Sequence, residues 1–204
     1  YAENIPILKM VFKNILSHKM VRRFAQKCNG IIAPTKSAKE YLANIGVSRN
    51  KVVLPTGVDS AEFHQINRDI INEIRRQYAP KGERLLCSAS RLAVEKNINF
   101  LLYGLKLVKE KTDIPFRCLM LGDGPDRENI IRLMEELQLT NDVILTGTIN
   151  PSNMATYFQA VDIFVFSSLS ETQGMVLLEA MAGGCPVVSV RSSGTDDVIQ
   201  EGLN

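Results

Sequence analysis

Two carboxylates, Glu171 and Glu179, flank the point in residues 167–184 (SSLSETQGMVLLEAMAGG) where a polar loop should become a helix starting near Gly174. The first N–H groups of a helix have no intrahelical partner and carry partial positive charge, so such a start is a natural seat for an anion. Gly174 would let a ligand approach the main chain without meeting a side chain. A carboxylate accepts hydrogen bonds in pairs, which suits the vicinal hydroxyls of a sugar or a ribose. Glu179 lies among Val176, Leu177, Leu178, Ala180, Met181 and Ala182, and a charge in so apolar a run is costly without a partner. Glu171, on local grounds alone, reads more simply as an exposed loop acid.

A second cluster, SRLAVEK at 90–96, follows an apolar run and carries Arg91 and Lys96. Arginine offers a planar fork to phosphate and lysine a compact charge. Two surface cations near Glu95 would explain the same residues equally well. A third, LGDGP at 121–125, shares two glycines with a dinucleotide fingerprint, but Arg127 stands where the third would fall, so a tight turn suffices. TGTI at 146–149 ends another apolar run and could offer main-chain groups to a base edge.

The elements that must position these groups alternate along the chain. Strands are predicted at 84–90, 116–121, 143–146, 162–166 and 186–190, and helices at 97–111, 126–137, 152–160 and 174–182. Ile98, Leu101, Leu102, Leu105 and Val108 form one apolar helix face. Near-continuous apolar strands between such helices imply a Rossmann-like, doubly wound α/β domain whose parallel sheet is covered on both faces. In that fold ligands bind at the carboxyl ends of the strands, so the clusters above should share one rim.

Before this domain the pattern is a strand at 30–34, a helix at 37–44 and a strand at 51–54, too little to bury both its faces. Residues 1–54 are therefore expected to be the remainder of a neighbouring domain, 55–65 a linker, and 66–204 the main domain. Segment 7–27 is basic and amphipathic, with Lys9, Lys13, Lys19, Arg22, Arg23 and Lys27 among apolar residues. It suits an anionic membrane surface; packing of its apolar side on the neighbouring domain is the commoner use of such a helix.

The 204 residues are 45% hydrophobic and 23% charged, with a net charge of +2, so nothing global points to nucleic acid. Four scattered cysteines, Cys28, Cys87, Cys118 and Cys185, have no metal-site spacing and read as reduced, mostly buried thiols. No apolar run reaches the roughly 18 residues a membrane span needs, and no signal peptide opens the chain. A cytoplasmic protein, peripheral at the inner membrane face, is expected. Tyr1 in place of methionine suggests a start inside a longer protein.

Taken together, PTGVD (55–59), SRLAVEK, LGDGP, the strand after Val161–Asp162, the E-x7-E from Glu171 to Glu179, LEAMAGGCPVV (178–188) and SGTDDVI (193–199) resemble the group 1 glycosyltransferases, retaining enzymes of GT-B architecture. The resemblance covers residue 30 to the end and is nearest in character to the diacylglycerol and lipopolysaccharide glucosyltransferases. It implies that 66–204 is the C-terminal donor-binding domain, truncated at its end, and 1–54 a remnant of the N-terminal acceptor domain. Arg91 and Lys96 would hold the donor diphosphate and stabilise the leaving group. Glu179 would bind ribose, and Glu171 would sit beside the transferred sugar as a catalytic group. The main chain of Thr172, Gln173, Gly174, Met175 and Val176 would contact sugar and phosphates, and Ile149 would pair with the base through its backbone. The implied donor is a nucleotide-diphosphosugar, UDP-glucose by default, with no metal or other cofactor; the acceptor is a lipid or saccharide. Gln173 replaces a usual Phe and Thr56 a usual Asn. A UDP-sugar 2-epimerase of the same architecture lacks the R-x4-K and E-x7-E pairing; a non-catalytic nucleotide-sugar-binding module is the other alternative.

Overall fold

The computed structural model describes residues 16–59, 61–64, 67–200 and 202. Residues 7–15 of the basic segment lie outside them. The chain divides into two compact units, Tyr1–Thr56 and Gly57–Asn204.

In the first unit, residues 16–25 form helix α1. Strand β1 (Ile31–Ala33), helix α2 (Lys36–Asn44) and strand β2 (Lys51–Val53) make one parallel β-α-β unit. Thr35 starts α2 by accepting the Ala38 N–H at 3.1 Å, satisfying one of the orphan donors of a helix start. The Arg49 guanidinium donates to Gln26 O at 2.8 Å and so ties the end of α1 to the turn before β2. Leu16, Met20 and Phe24 form an exposed stripe along α1, four residues apart, as the amphipathic spacing requires.

The second unit begins with α3 (Ala61–His64) and α4 (Arg68–Tyr78), then alternates: β3 (Arg84–Ala89), α5 (Ile98–Lys111), β4 (Phe116–Leu121), α6 (Arg127–Glu136), β5 (Val143–Gly147), α7 (Met154–Ala160), β6 (Ile163–Phe166), α8 (Met175–Ala182), β7 (Val187–Ser189) and α9 (Ser193–Asp196). Its five strands are all parallel, in the order β5-β4-β3-β6-β7. Successive residues of β4 alternate between the two faces. Phe116, Cys118 and Met120 join the core under α5 and α6, while Leu119 and Leu121 join the one under α4, α7 and α8. The expected doubly wound α/β fold is what the chain forms.

Within residues 55–65, Ala61–His64 is helical and Phe63 is buried in the core of the second unit, where Gln159 Nε2 donates to its carbonyl at 2.7 Å. A single aromatic in a polar run is too little for periodicity to register. The helix expected from 152 begins instead with a 3-10 turn, Pro151–Asn153, which Asn150 caps through the Ser152 N–H, and becomes α-helical only at Met154. Cys87, Cys118 and Cys185 are buried and unbridged, Cys28 half-buried. Burial pushes the Cys118 thiol up to about 12 and the Cys185 thiol to about 11, which keeps both protonated and inert.

Candidate functional site

Strands β3 and β6 are neighbours although two strands and three helices separate them in sequence. From this pair the chain turns to opposite faces: α5, after β3, packs in one core and α8, after β6, in the other. The two loops thus leave neighbouring strands toward opposite faces at the carboxyl ends, the topological switch point where open α/β sheets bind ligands. SRLAVEK is the first loop, and Ser167 to Gly174 is the second.

Interlocked main chains fix the first loop. Leu92 N–H donates to Asp123 O at 3.0 Å, and Asp126 N–H returns to Leu92 O at 3.0 Å. A Cβ at Gly124 would stand 2.3 Å from Leu92 O, and one at Gly122 would stand 2.1 Å from Ser90 O. The two glycines of LGDGP thus admit the neighbouring loop. Leu92 and Ala93 are buried, which anchors the charged residues on either side.

Lys96 ends a short 3-10 turn, Val94–Lys96, and Asn97 follows in the left-handed region at φ 54°. Ser167 Oγ donates to Lys96 O at 2.9 Å, and Asn97 Nδ2 donates to Ser167 O at 3.3 Å. This reciprocal pair joins the two loops. Across the join, Lys96 Nζ donates to Glu171 Oε1 at 2.6 Å, with the two side chains only 20% and 16% exposed. A charge-assisted bond of this length, largely shielded from water, is a strong local contact.

Arg91 is arranged differently. Its side chain is 65% exposed and its guanidinium pairs with Glu95, one helical turn on. The Glu95 carboxyl lies below the usual carboxylate range because its own amide and the Arg91 guanidinium both bond to it. The structure therefore separates the two cations that the sequence groups together: Lys96 meets Glu171, and Arg91 meets Glu95.

The second loop leads into α8 through Gly174, whose φ of 62° is unfavourable for any residue with a side chain. A Cβ there would meet Leu177 Cδ1 at 2.9 Å and Gly194 O at 3.4 Å. The neighbours that need the space at Gly174 are thus parts of this chain, where room for a ligand was the expectation. Gln173 is buried beside it and Thr172 is exposed. Met175 and Glu179, one turn apart on α8, line a cavity of about 300 Å³ with Val58, Phe63, Pro151 and Met154. Val176 and Ile149 are half-buried against the core. The expected charged residues thus fall into three places: Lys96 with Glu171 where the two loops join, Glu179 with Met175 in the cavity, and Arg91 on the surface. Among the described residues, no three His, Cys, Asp or Glu side chains converge as a metal site.

Asn97 and Ser167 join the loops, yet neither stands out in the sequence. Their signal is positional, since both are polar residues beyond strands that prove to be adjacent. It becomes readable only once β3 is known to pair with β6.

Residues 70–204 match the family of glycosyl transferases group 1. The chain belongs to this family. It corresponds to the C-terminal domain region of a GT-B glycosyltransferase. The α-monoglucosyldiacylglycerol synthase of Streptococcus pneumoniae is 33% identical over 183 residues, covering 88% of this chain and 41% of that protein. The sulfoquinovosyl transferase of Arabidopsis thaliana is 34% identical over 164 residues, covering 80% and 30%. The chain thus spans less than half the length of these curated relatives. Among solved structures, Anabaena HepE in complex with UDP and glucose superposes with a TM-score of 0.85 at 20% identity, covering 93% of this chain and 52% of that one. Sucrose-phosphate synthase from Thermosynechococcus elongatus gives a TM-score of 0.75 at 22% identity, covering 87% and 44%. At these identities the likeness is one of fold.

Proposed function

We propose that this chain is the donor-binding part of a retaining glycosyltransferase that moves a hexose, glucose by default, from UDP to a lipid or saccharide acceptor. The carrying observation is the Lys96–Glu171 pair at the switch point, beside the start of α8 and the cavity holding Glu179. A cation and a helix start would meet the diphosphate, and two carboxylates the sugar and the ribose of a nucleotide-sugar. In the reaction the bond from the sugar's anomeric carbon to the diphosphate oxygen breaks. The acceptor hydroxyl oxygen then bonds to that carbon, and its proton passes to the departing diphosphate oxygen. Negative charge grows on the departing diphosphate, where Lys96, the N–H groups at the start of α8 and Arg91, once turned from Glu95, would stabilise it. Glu171 would hold sugar hydroxyls, Glu179 the ribose, and the Ile149 main chain the base. The main chain of Thr172, Gln173, Gly174, Met175 and Val176 would line the path between sugar and phosphates.

UDP and glucose are favoured because a UDP and glucose complex is the structure so closely superposed, and because a relative is named for glucosylating a lipid. Calorimetric titration of UDP, GDP and ADP into the protein tests the base: UDP should bind tightest, and tighter GDP or ADP would reassign the donor. Residues 1–54 are read as part of an acceptor domain and 66–204 as the donor domain, with 55–65 a connector whose Phe63 is already seated in the donor core, and no metal is required. Among the described residues no helix is long and apolar enough to cross a membrane. Segment 7–27 would supply peripheral contact with the inner membrane face through cations beside the exposed stripe of Leu16, Met20 and Phe24. The full-length enzyme should float with anionic liposomes in preference to neutral ones, and equal recovery with both would remove the membrane from the account.

A further inference from the structure

Gly194 lies buried at the second residue of α9, against the main chain of Glu171. A Cβ added there would stand 2.5 Å from Glu171 O, 2.6 Å from its carbonyl carbon and 2.7 Å from its Cβ, closer than real atoms approach. Gly194 is not among the glycines with positive φ, so backbone conformation does not call for glycine here. Glycine is also a poor helix former, which leaves the contact with Glu171 as the reason for it. Nor can α9 back away. The buried Thr195 hydroxyl lies 3.0 Å from Val190 O at the end of β7 and accepts the Ser192 N–H at 2.7 Å, pinning the helix to the sheet. Ser193 Oγ donates to Glu171 O at 3.4 Å from the same side.

We propose that Gly194 is a positioning residue: α9 is a fixed stop against which the Glu171 main chain rests, and that contact sets the Glu171 carboxylate on Lys96. A side chain at 194 would press on the Glu171 main chain, because the Thr195 hydroxyl holds α9 against Val190 and Ser192. The inference deepens the donor-site reading of Lys96 and Glu171 and rests on it for its catalytic consequence, though not for the contact itself.

Two measurements on the full-length enzyme separate those parts. Gly194→Ala should accelerate acetylation of the Lys96 amine by acetic anhydride several-fold, to the rate seen in Glu171→Gln, as read by mass spectrometry of the native protein. Ser193→Ala, which removes only the hydroxyl over Glu171 O, should shift it less in the same direction and serves if Gly194→Ala does not fold. In turnover, Gly194→Ala should lower kcat by about 10- to 100-fold, the scale of a reacting group misplaced by an ångström. It should add nothing to the loss from Glu171→Ala, and UDP, whose diphosphate competes with the Glu171 carboxylate for Lys96, should inhibit Gly194→Ala at least as tightly as the parent. Unchanged Lys96 labelling in the folded variants, or losses that multiply with Glu171→Ala, would overturn the proposal. Full turnover in Glu171→Ala together with accelerated labelling would uphold the contact and overturn the donor-site reading.

Discussion

Lys96 and Glu171 share a short hydrogen bond at four-fifths burial, where water screens charge poorly, so an arriving diphosphate must either displace the carboxylate or share the ammonium with it. Arg91 starts from the opposite condition, solvated and paired with Glu95, where an ion pair contributes little. The two cations should therefore differ in turnover by the full-length enzyme. Lys96→Ala should lower kcat/KM by about 100-fold, as loss of a charge-stabilising group does, and Arg91→Ala by about tenfold. Equal, near-parent rates would remove both from the site. Asp162 looks chemically similar but serves the fold: its carboxylate accepts from Arg75 at 2.7 Å and from the Leu85 N–H at 2.7 Å, joining α4, β3 and the start of β6. Burial alone would raise its pKa, yet the bonds from Arg75 and Leu85 outweigh burial and leave it below the ordinary value. A depressed folded-state pKa contributes stability above the unfolded value of about 4, and that share is lost as pH falls through the lower folded value. Urea unfolding at neutral pH should show Asp162→Asn less stable by about 1.5–3 kcal/mol. The gap should narrow below about pH 4, and a gap independent of pH would contradict the assignment.

At the scale of elements, the glycines of LGDGP matter because two loops pass through each other's van der Waals space. Gly124→Ala would drive a Cβ to 2.3 Å from Leu92 O, a backbone atom that cannot swing aside. Thermal unfolding should show a loss of about 1–3 kcal/mol, the usual cost of overpacking, and unchanged stability would mean that the loops part easily. Much of this level was legible in the sequence. Parallel strands buried on both faces write themselves as apolar runs, and the predicted 116–121 strand is the observed one. Of the predicted α5 face, Ile98, Leu102 and Leu105 are buried and Leu101 packs against the same core, while Val108, near the end of the helix, is exposed. Three things were not legible, each for a physical reason. The order β4-β3-β6 is a tertiary fact, so the Asn97–Ser167 join had no local signal. Phe63 enters the core from a run too short to show a period. Gly194 answers to a residue in another loop, and nothing in SGTDDVI says which.

For the whole molecule, the charge pattern and the rim of the second unit point the same way. A net charge of +2 spread over 204 residues makes no broad field, so an anionic ligand would be held by local groups, and the proposed ones cluster at the loops after β3 and β6. Because the chain spans less than half the length of the two curated relatives, it is expected to bind nucleotide without transferring sugar by itself. The most direct test is calorimetric titration of UDP into this chain and into its Lys96→Ala and Glu179→Ala variants, each verified as folded. In the proposed site one variant removes a cation from the diphosphate and the other an acid from the ribose. The parent should bind measurably, and each variant should show a Kd raised about tenfold or more, the scale of one charge-assisted hydrogen bond. Identical Kd values in all three proteins would contradict the proposed site.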